Sequence, residues 1–260
     1  MAAPDNAQIF YPGGKHGTLT RSWIAEVPIA LEFNGISYAV MMATPQDLED
    51  FIIGFALTEG LVHARGQIDD IAIAETDNGW IVRTALTGPG ADLLKERARA
   101  RVSESSCGLC GIENLEAIAK PLPHVAPHDR LDPHAIFAAL GELRGRQQLG
   151  LQTGAAHAAA WANTHGQIGW VREDVGRHNA MDKLIGAMAR EACSLSPGFI
   201  LSTARCSFEI VEKSVRAGAA TLATISLPTS MAVERAQSCG LSLWVLARDD
   251  SALLVNDGSL

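Results

Sequence analysis

A chain of 260 residues that is 47% hydrophobic and 19% charged can bury a substantial core, as one large domain or two small ones, which excludes disorder over most of its length. Its net charge of −8 excludes a general affinity for nucleic-acid backbone or anionic membrane, which needs surplus Lys and Arg, while leaving room for a local basic pocket for one small anion. Five cysteines are odd in number and too sparse for a disulfide framework, no stretch approaches the roughly 20 apolar residues that span a bilayer, and the opening MAAPDNAQIF has no basic start followed by an apolar run; a cytoplasmic protein with reduced thiols is expected.

In chain order, EVPIALEFNGISYAV alternates around Asn34-Gly35, a pair suited to a tight hairpin turn. Thr44 is expected to cap the following helix, with Pro45 at its first position and Asp47 as a capping carboxylate. That helix buries Leu48, Phe51, Ile52 and Phe55 on one face and ends at Gly60. Residues 68 to 84 alternate as strands, and LLKERARARVSESS is polar enough for a frayed helix leading into a mobile loop. Asp132-Pro133 opens a helix that buries Ile136, Phe137, Leu140 and Leu143 and runs to about Gly150. HAAAWANTHGQIGWVRED reads as two strands about the turn Thr164–Gln167.

From there helices over 177–190, 207–217 and 229–238 alternate with strands over 198–203, 221–226 and 241–247. Strands alternating with helices of that length imply right-handed crossovers and an α/β domain built on a largely parallel sheet. The expected organisation is a β-rich part with one helix over 1–102, a mobile CxxC loop and linker over 103–131, and the α/β domain over 132–260.

Five stretches can carry chemistry. CGLCG contains Cys107 and Cys110, but a structural zinc site wants four ligands, and neither Cys193, Cys206 nor Cys239 supplies a second pair. Thioredoxin-type chemistry would place the motif after a strand, whereas Glu104-Ser105-Ser106 precedes it. The flanking glycines suit a thiolate that visits more than one partner. His157 sits in the small, apolar stretch TGAAHAAAW, whose following residues Ala158 and Ala159 do not match a zinc deaminase. VREDVGRHNAMDK gathers Arg172, Glu173, Asp174, Arg177, His178, Asn179, Asp182 and Lys183 at a strand-to-helix junction, where helix N-terminal amides, Arg and Lys make a natural phosphate site and Asp or Asn can read a purine edge. STARCSFEIVEK and ISLPTSMA place Ser202, Thr203, Arg205, Ser207, Ser226, Thr229 and Ser230 at two further such junctions. Three junctions on one sheet edge describe a crevice for phosphate and sugar groups.

Together EVPIALEFNG, TPQDLEDFIIGFALTEG, CGLCG, TGAAHAA, REDVGRHNAMDK, ARCSFEIVEK, SLPTSMA and GLSLWVLAR resemble the FdhD/NarQ family of formate dehydrogenase accessory sulfurtransferases. Departures from its usual pattern are Ala155 and Ala204 for Gly, Cys206 for Thr or Ser, and Val245-Leu246 with Asp249 in place of a Gly-Phe-x-Arg-Gly run.

The resemblance implies a cytoplasmic, homodimeric sulfur carrier with a cytidine-deaminase-like fold and no zinc. It implies that a cysteine desulfurase loads Cys107 with a persulfide, and that the sulfur passes to the molybdenum bis(guanine dinucleotide) cofactor destined for the catalytic subunit of formate dehydrogenase. Cys110 either releases the sulfur by forming a disulfide with Cys107 or only assists. The guanine dinucleotide end, a GDP-like group, would lie across the three junctions. Arg172, Arg177, Lys183 and Arg205 would oppose phosphates, and Asp174 or Asp182 would read guanine. His157 would form the floor. Thr153, His178, Asn179, Thr203, Ser226 and Thr229, with Leu246, Ala247, Arg248, Asp249, Asp250 and Ser251, would complete the contacts. Two rivals are a CxxC thiol-disulfide protein that binds no pterin and a non-catalytic cofactor chaperone.

Overall fold

The structure is a computed structural model that describes residues 5–88, 90, 94 and 121–260. Cys107, Cys110 and, apart from Leu94, the polar stretch over 93–106 read as a frayed helix lie outside the described residues.

A hairpin absent from the sequence expectations comes first, β1 (Asp5–Phe10) against β2 (His16–Arg21). A second sheet has the order β4-β3-β6-β5, with β3 (Val27–Phe33), β4 (Ile36–Ala43), β5 (Ala72–Thr76) and β6 (Gly79–Thr84). Asn34 and Gly35 turn β3 into β4 with φ of 52° and 74°, the doubly left-handed geometry that an Asn-Gly pair tolerates best. Helix α1 (Leu48–Thr58) lies on this sheet and buries Phe51, Ile52 and Phe55 against Ile29, Leu31, Phe33 and Val82. Thr44 does not cap it. The residue preceding the helix is Asp47, itself left-handed at φ 51° with no side-chain capping bond, because Thr44 is drawn into a network with the second half of the chain.

The larger sheet has the order β12-β11-β10-β9-β7-β8. Its strands are β7 (His157–Ala162), β8 (Ile168–Asp174), β9 (Phe199–Ser202), β10 (Thr221–Thr224), β11 (Ser242–Val245) and β12 (Leu253–Asn256). Neighbours β9, β10 and β11 are parallel, β7 is antiparallel to both its neighbours, and β12 is antiparallel to β11. Strands β8 to β11, apart from β7's intrusion between β8 and β9, therefore all point the same way. The sequence pattern anticipated the mixed, largely parallel sheet but not the edge strand β12.

Both faces of this sheet are covered, which is why β9, β10 and β11 are buried at every position. Helices α4 (Arg177–Arg190), α5 (Phe208–Arg216) and α6 (Ser230–Cys239) pack on Ile200, Leu222 and Leu243 on one face. Helix α2 (Pro133–Arg146) packs on Phe199, Leu201 and Ala223 on the other. The single helix expected to reach Gly150 is in fact two, α2 and α3 (Gln148–Thr153). The break at Gln147 exposes the amides of Leu149 and Gly150, which donate to the Glu173 carboxylate at 2.8 Å each and so make a new helix start there.

The two sheets are joined through α1 and α4. A Cβ at Gly54 would collide with the carbonyl of Asp182, and one at Gly186 with the carbonyl of Asp50, so the two helix backbones touch at a reciprocal pair of glycines. No other residue type permits that approach.

Candidate functional site

The shared direction of β8, β9, β10 and β11 brings their carboxyl ends to one edge, and β7 begins there with His157 opposite Asp174. The three junctions anticipated from sequence thus lie side by side: Gly176 and Arg177 opening α4, Ser207 opening α5, and Thr229 opening α6, where its hydroxyl accepts from the amide of Ala232 at 3.2 Å. Helix N-termini aimed at one edge add partial positive charge to it.

Basic side chains cluster at the same place. His157 is half-buried, and its pKa is held below the ordinary imidazole value first by burial and then by the neighbouring basic groups Arg177, His178 and Arg205, against the opposing pull of Asp174. The buried Nε of Arg177 has no hydrogen-bond partner. His178 Nε2 lies 3.0 Å from Glu209 Oε2, and this contact holds the Glu209 carboxyl below its usual range despite partial burial. Arg205 is exposed. This is an edge with more positive charge than it neutralises internally, in a chain of net charge −8.

Several residues expected to face a ligand are buried in internal pairs instead. Asp174 and Lys183 are both fully buried and paired at 2.6 Å. Lys183 also donates to the Thr44 carbonyl at 2.9 Å, while Asp174 accepts from the amides of Thr44 at 3.0 Å and Gly176 at 2.7 Å. Asn179 bridges Asp174 and the Met42 carbonyl, each at 2.9 Å. Asp182 is buried, accepts from Lys213 at 2.8 Å and from Thr58 at 2.7 Å, and has a pKa raised by burial against the pull of Lys213. Arg172 turns away from the edge to grip Asp50 at 2.7 Å on α1. Thr153 is buried and bonded to the Leu149 carbonyl at 2.8 Å. Lys183 and Arg172 are therefore not the phosphate partners expected of them, and neither Asp174 nor Asp182 has surface to read guanine. Their common task is to bind α4 to the N-terminal half. That assignment was hidden because the partners lie far apart in sequence, 139 positions for Thr44 and Lys183.

Beside the basic cluster, on the α2 side of the edge, opens a pocket of about 590 Å³. Leu140, Leu143, Ile225 and Ala247 form its apolar surface, and Arg144, Gln147, Thr203, Arg248, Asp249 and Asp250 its polar one. Thr203 is fixed by the amide of Ala158, which donates to its hydroxyl at 2.8 Å. The chain enters the β11–β12 connection through Leu246, held left-handed at φ 48° by hydrogen bonding to the Ser226 carbonyl at 3.2 Å. That left-handed residue changes the chain's direction, and Ala247 to Asp250 follow it along the pocket. Arg248 closes this turn by donating its amide to the Ser251 carbonyl at 2.7 Å. Of the segment 246–251, Ala247, Arg248, Asp249 and Asp250 line this pocket. Arg144, Gln147, Leu140, Leu143 and Ile225 were not anticipated; they read as ordinary helix and strand residues, and only the packing of α2 across the sheet assembles them here.

Cys206 lies at the edge but is fully buried, which pushes its thiol up to about 12, and Cys239 is likewise raised by burial, so neither is a ready thiolate. Among the described residues no three His, Cys, Asp or Glu side chains are grouped to hold a metal, and no helix is long and apolar enough to cross a membrane.

The FdhD/NarQ family model matches residues 24–257. Similar relatives include proteins named sulfur carrier protein FdhD. The one from Bordetella petrii is 42% identical over 252 residues, covering 96% of this chain and 91% of the relative. The one from Xanthomonas euvesicatoria pv. vesicatoria is 43% identical over 242 residues, covering 93% and 86%. In fold, the chain is similar to a crystal structure from Desulfotalea psychrophila of a protein assigned as a formate dehydrogenase accessory protein, with a TM-score of 0.77, 22% identity, and coverage of 98% of this chain and 96% of that one.

Proposed function

The chain belongs to the FdhD/NarQ family, and from that premise we propose that it is a sulfur carrier serving formate dehydrogenase, loaded by a cysteine desulfurase and discharging to the molybdenum bis(guanine dinucleotide) cofactor. The observation that carries this reading is the gathering of three helix N-termini, the basic residues His157, Arg177, His178 and Arg205, and an adjoining pocket on one sheet edge. That edge suits a ligand with phosphates at one end and a flat, partly apolar group at the other. Arg177 is partly exposed at this edge and offers its guanidinium to a phosphate oxygen.

In the proposed reaction the Cys107 thiolate attacks the outer sulfur of the desulfurase persulfide. The bond between the two desulfurase sulfurs breaks, the desulfurase thiolate leaves, and Cys107 carries the persulfide. Attack by the Cys110 thiolate on the inner sulfur then forms a Cys107–Cys110 disulfide and releases hydrosulfide beside the bound cofactor. The two thiols supply the two electrons that reduce the sulfane sulfur. The edge residues hold and orient the nucleotide while this happens. A cytoplasmic, homodimeric protein without zinc accords with the same reading.

The test is to incubate the protein with desulfurase and labelled cysteine and to map sulfane sulfur by mass spectrometry. Cys107→Ala is expected to lose the label and to fail to restore formate dehydrogenase activity in cells lacking the carrier. Full label on Cys107→Ala, with activity restored, would remove Cys107 from the carrier role.

A further inference from the structure

We propose that Arg144 is a phosphate-binding residue of the pocket between α2 and the β11–β12 connection, and that Asp249 occupies its guanidinium as an internal stand-in which an incoming nucleotide displaces. The proposal rests on the reading of this edge as the seat of a guanine nucleotide end.

Arg144 donates through Nη2 to both carboxylate oxygens of Asp249, at 2.9 and 2.8 Å. The two residues are 105 positions apart, and both line the same pocket. Their bond therefore crosses its mouth from helix to loop. The two side chains are 72% and 65% exposed. A pair so open to water is held weakly, by a population factor of about five at most. A phosphate offers more charge and more acceptor oxygens than a carboxylate, so the exchange at Arg144 is favourable once a nucleotide is present.

Charge balance at the mouth supports this order of events. Arg144 and Arg248 stand against Asp249 and Asp250, and the four charges cancel while the pocket is empty. Asp250 accepts from its neighbour Ser251 at 3.0 Å, so the carboxylate tied to a cation across the pocket is that of Asp249. An anion entering that balanced mouth gains a net cation only when Asp249 swings out. The surface position of the pair lets it do so without disturbing the core.

The experiment is a calorimetric titration of the full chain with GDP, comparing Arg144→Ala and Asp249→Asn. A tie that merely joined α2 to the loop would be broken equally by either change, and the two would move affinity in the same direction. A displaceable stand-in separates them. Arg144→Ala is expected to weaken GDP binding about tenfold or more. Asp249→Asn is expected to strengthen it about three- to fivefold. The double variant should behave as Arg144→Ala does, and thermal midpoints should stay near that of the parent because both residues are exposed. Weakening by both single changes would mark the pair as a structural tie and overturn the proposal, as would no change in either. If the parent binds GDP but the variants do not diverge, only the stand-in falls. If neither the parent nor Asp249→Asn binds GDP, the nucleotide reading of the edge falls too.

Discussion

At the scale of single residues, the densest polar motif does two jobs that its sequence does not separate. In REDVGRHNAMDK the side chains of Arg177 and His178 face the edge, while Asp174, Asn179, Asp182 and Lys183 face inward as anchors. The reason is periodicity: within α4 the inward residues 179, 182 and 183 fall on the stripe that meets α1, and 178 falls off it. A buried ion pair contributes little as a pair but is costly to break, since the survivor is left charged without water. Lys183→Met should therefore destabilise the fold by about 3–5 kcal/mol. Adding Asp174→Asn should recover part of that loss by removing the stranded carboxylate. Urea unfolding measures both, and a single variant within about 1 kcal/mol of the parent would contradict the anchor role.

At the scale of elements, the crossing of α1 and α4 sets where the basic edge stands relative to the N-terminal sheet. Gly54 and Gly186 let the helix backbones touch, and Arg172–Asp50, Lys183–Thr44 and Lys213–Asp182 brace the crossing around that contact. Gly54→Ala places a methyl group against the Asp182 carbonyl, which must move together with the start of α4's second turn. The expected cost is about 1–3 kcal/mol or more, read as a lower urea midpoint. An unchanged midpoint would mean that the crossing is looser than described. Element types were largely readable beforehand: the Asn34-Gly35 hairpin, α1, α4 over residues 177–190 and the later strand–helix alternation all follow from local pattern. The missed breaks have long-range causes. Glu173 splits α2 from α3 by reaching amides 23 and 24 positions away, and Thr44 gives up its cap to Asp174, 130 positions away.

At the scale of the whole molecule, nucleotide binding and sulfur loading are expected to be separable. GDP bound to the folded state alone raises the thermal midpoint by mass action, by about 2.7 kcal/mol of stability at a hundred times its dissociation constant. Cys107→Ala should keep this shift while losing the sulfane label; loss of both together would argue that the loop and the edge form one inseparable site. Alternating strands and helices, paired turn residues and clustered polar motifs are local properties, so amino-acid order alone specified the α/β class and the common edge of strand-to-helix junctions. Which polar residues reach that edge was decided by folding. Burial and pairing depend on contacts between segments more than a hundred positions apart, and these turned Lys183, Arg172, Asp174 and Asp182 inward while bringing Arg144 of α2 to the mouth of the pocket.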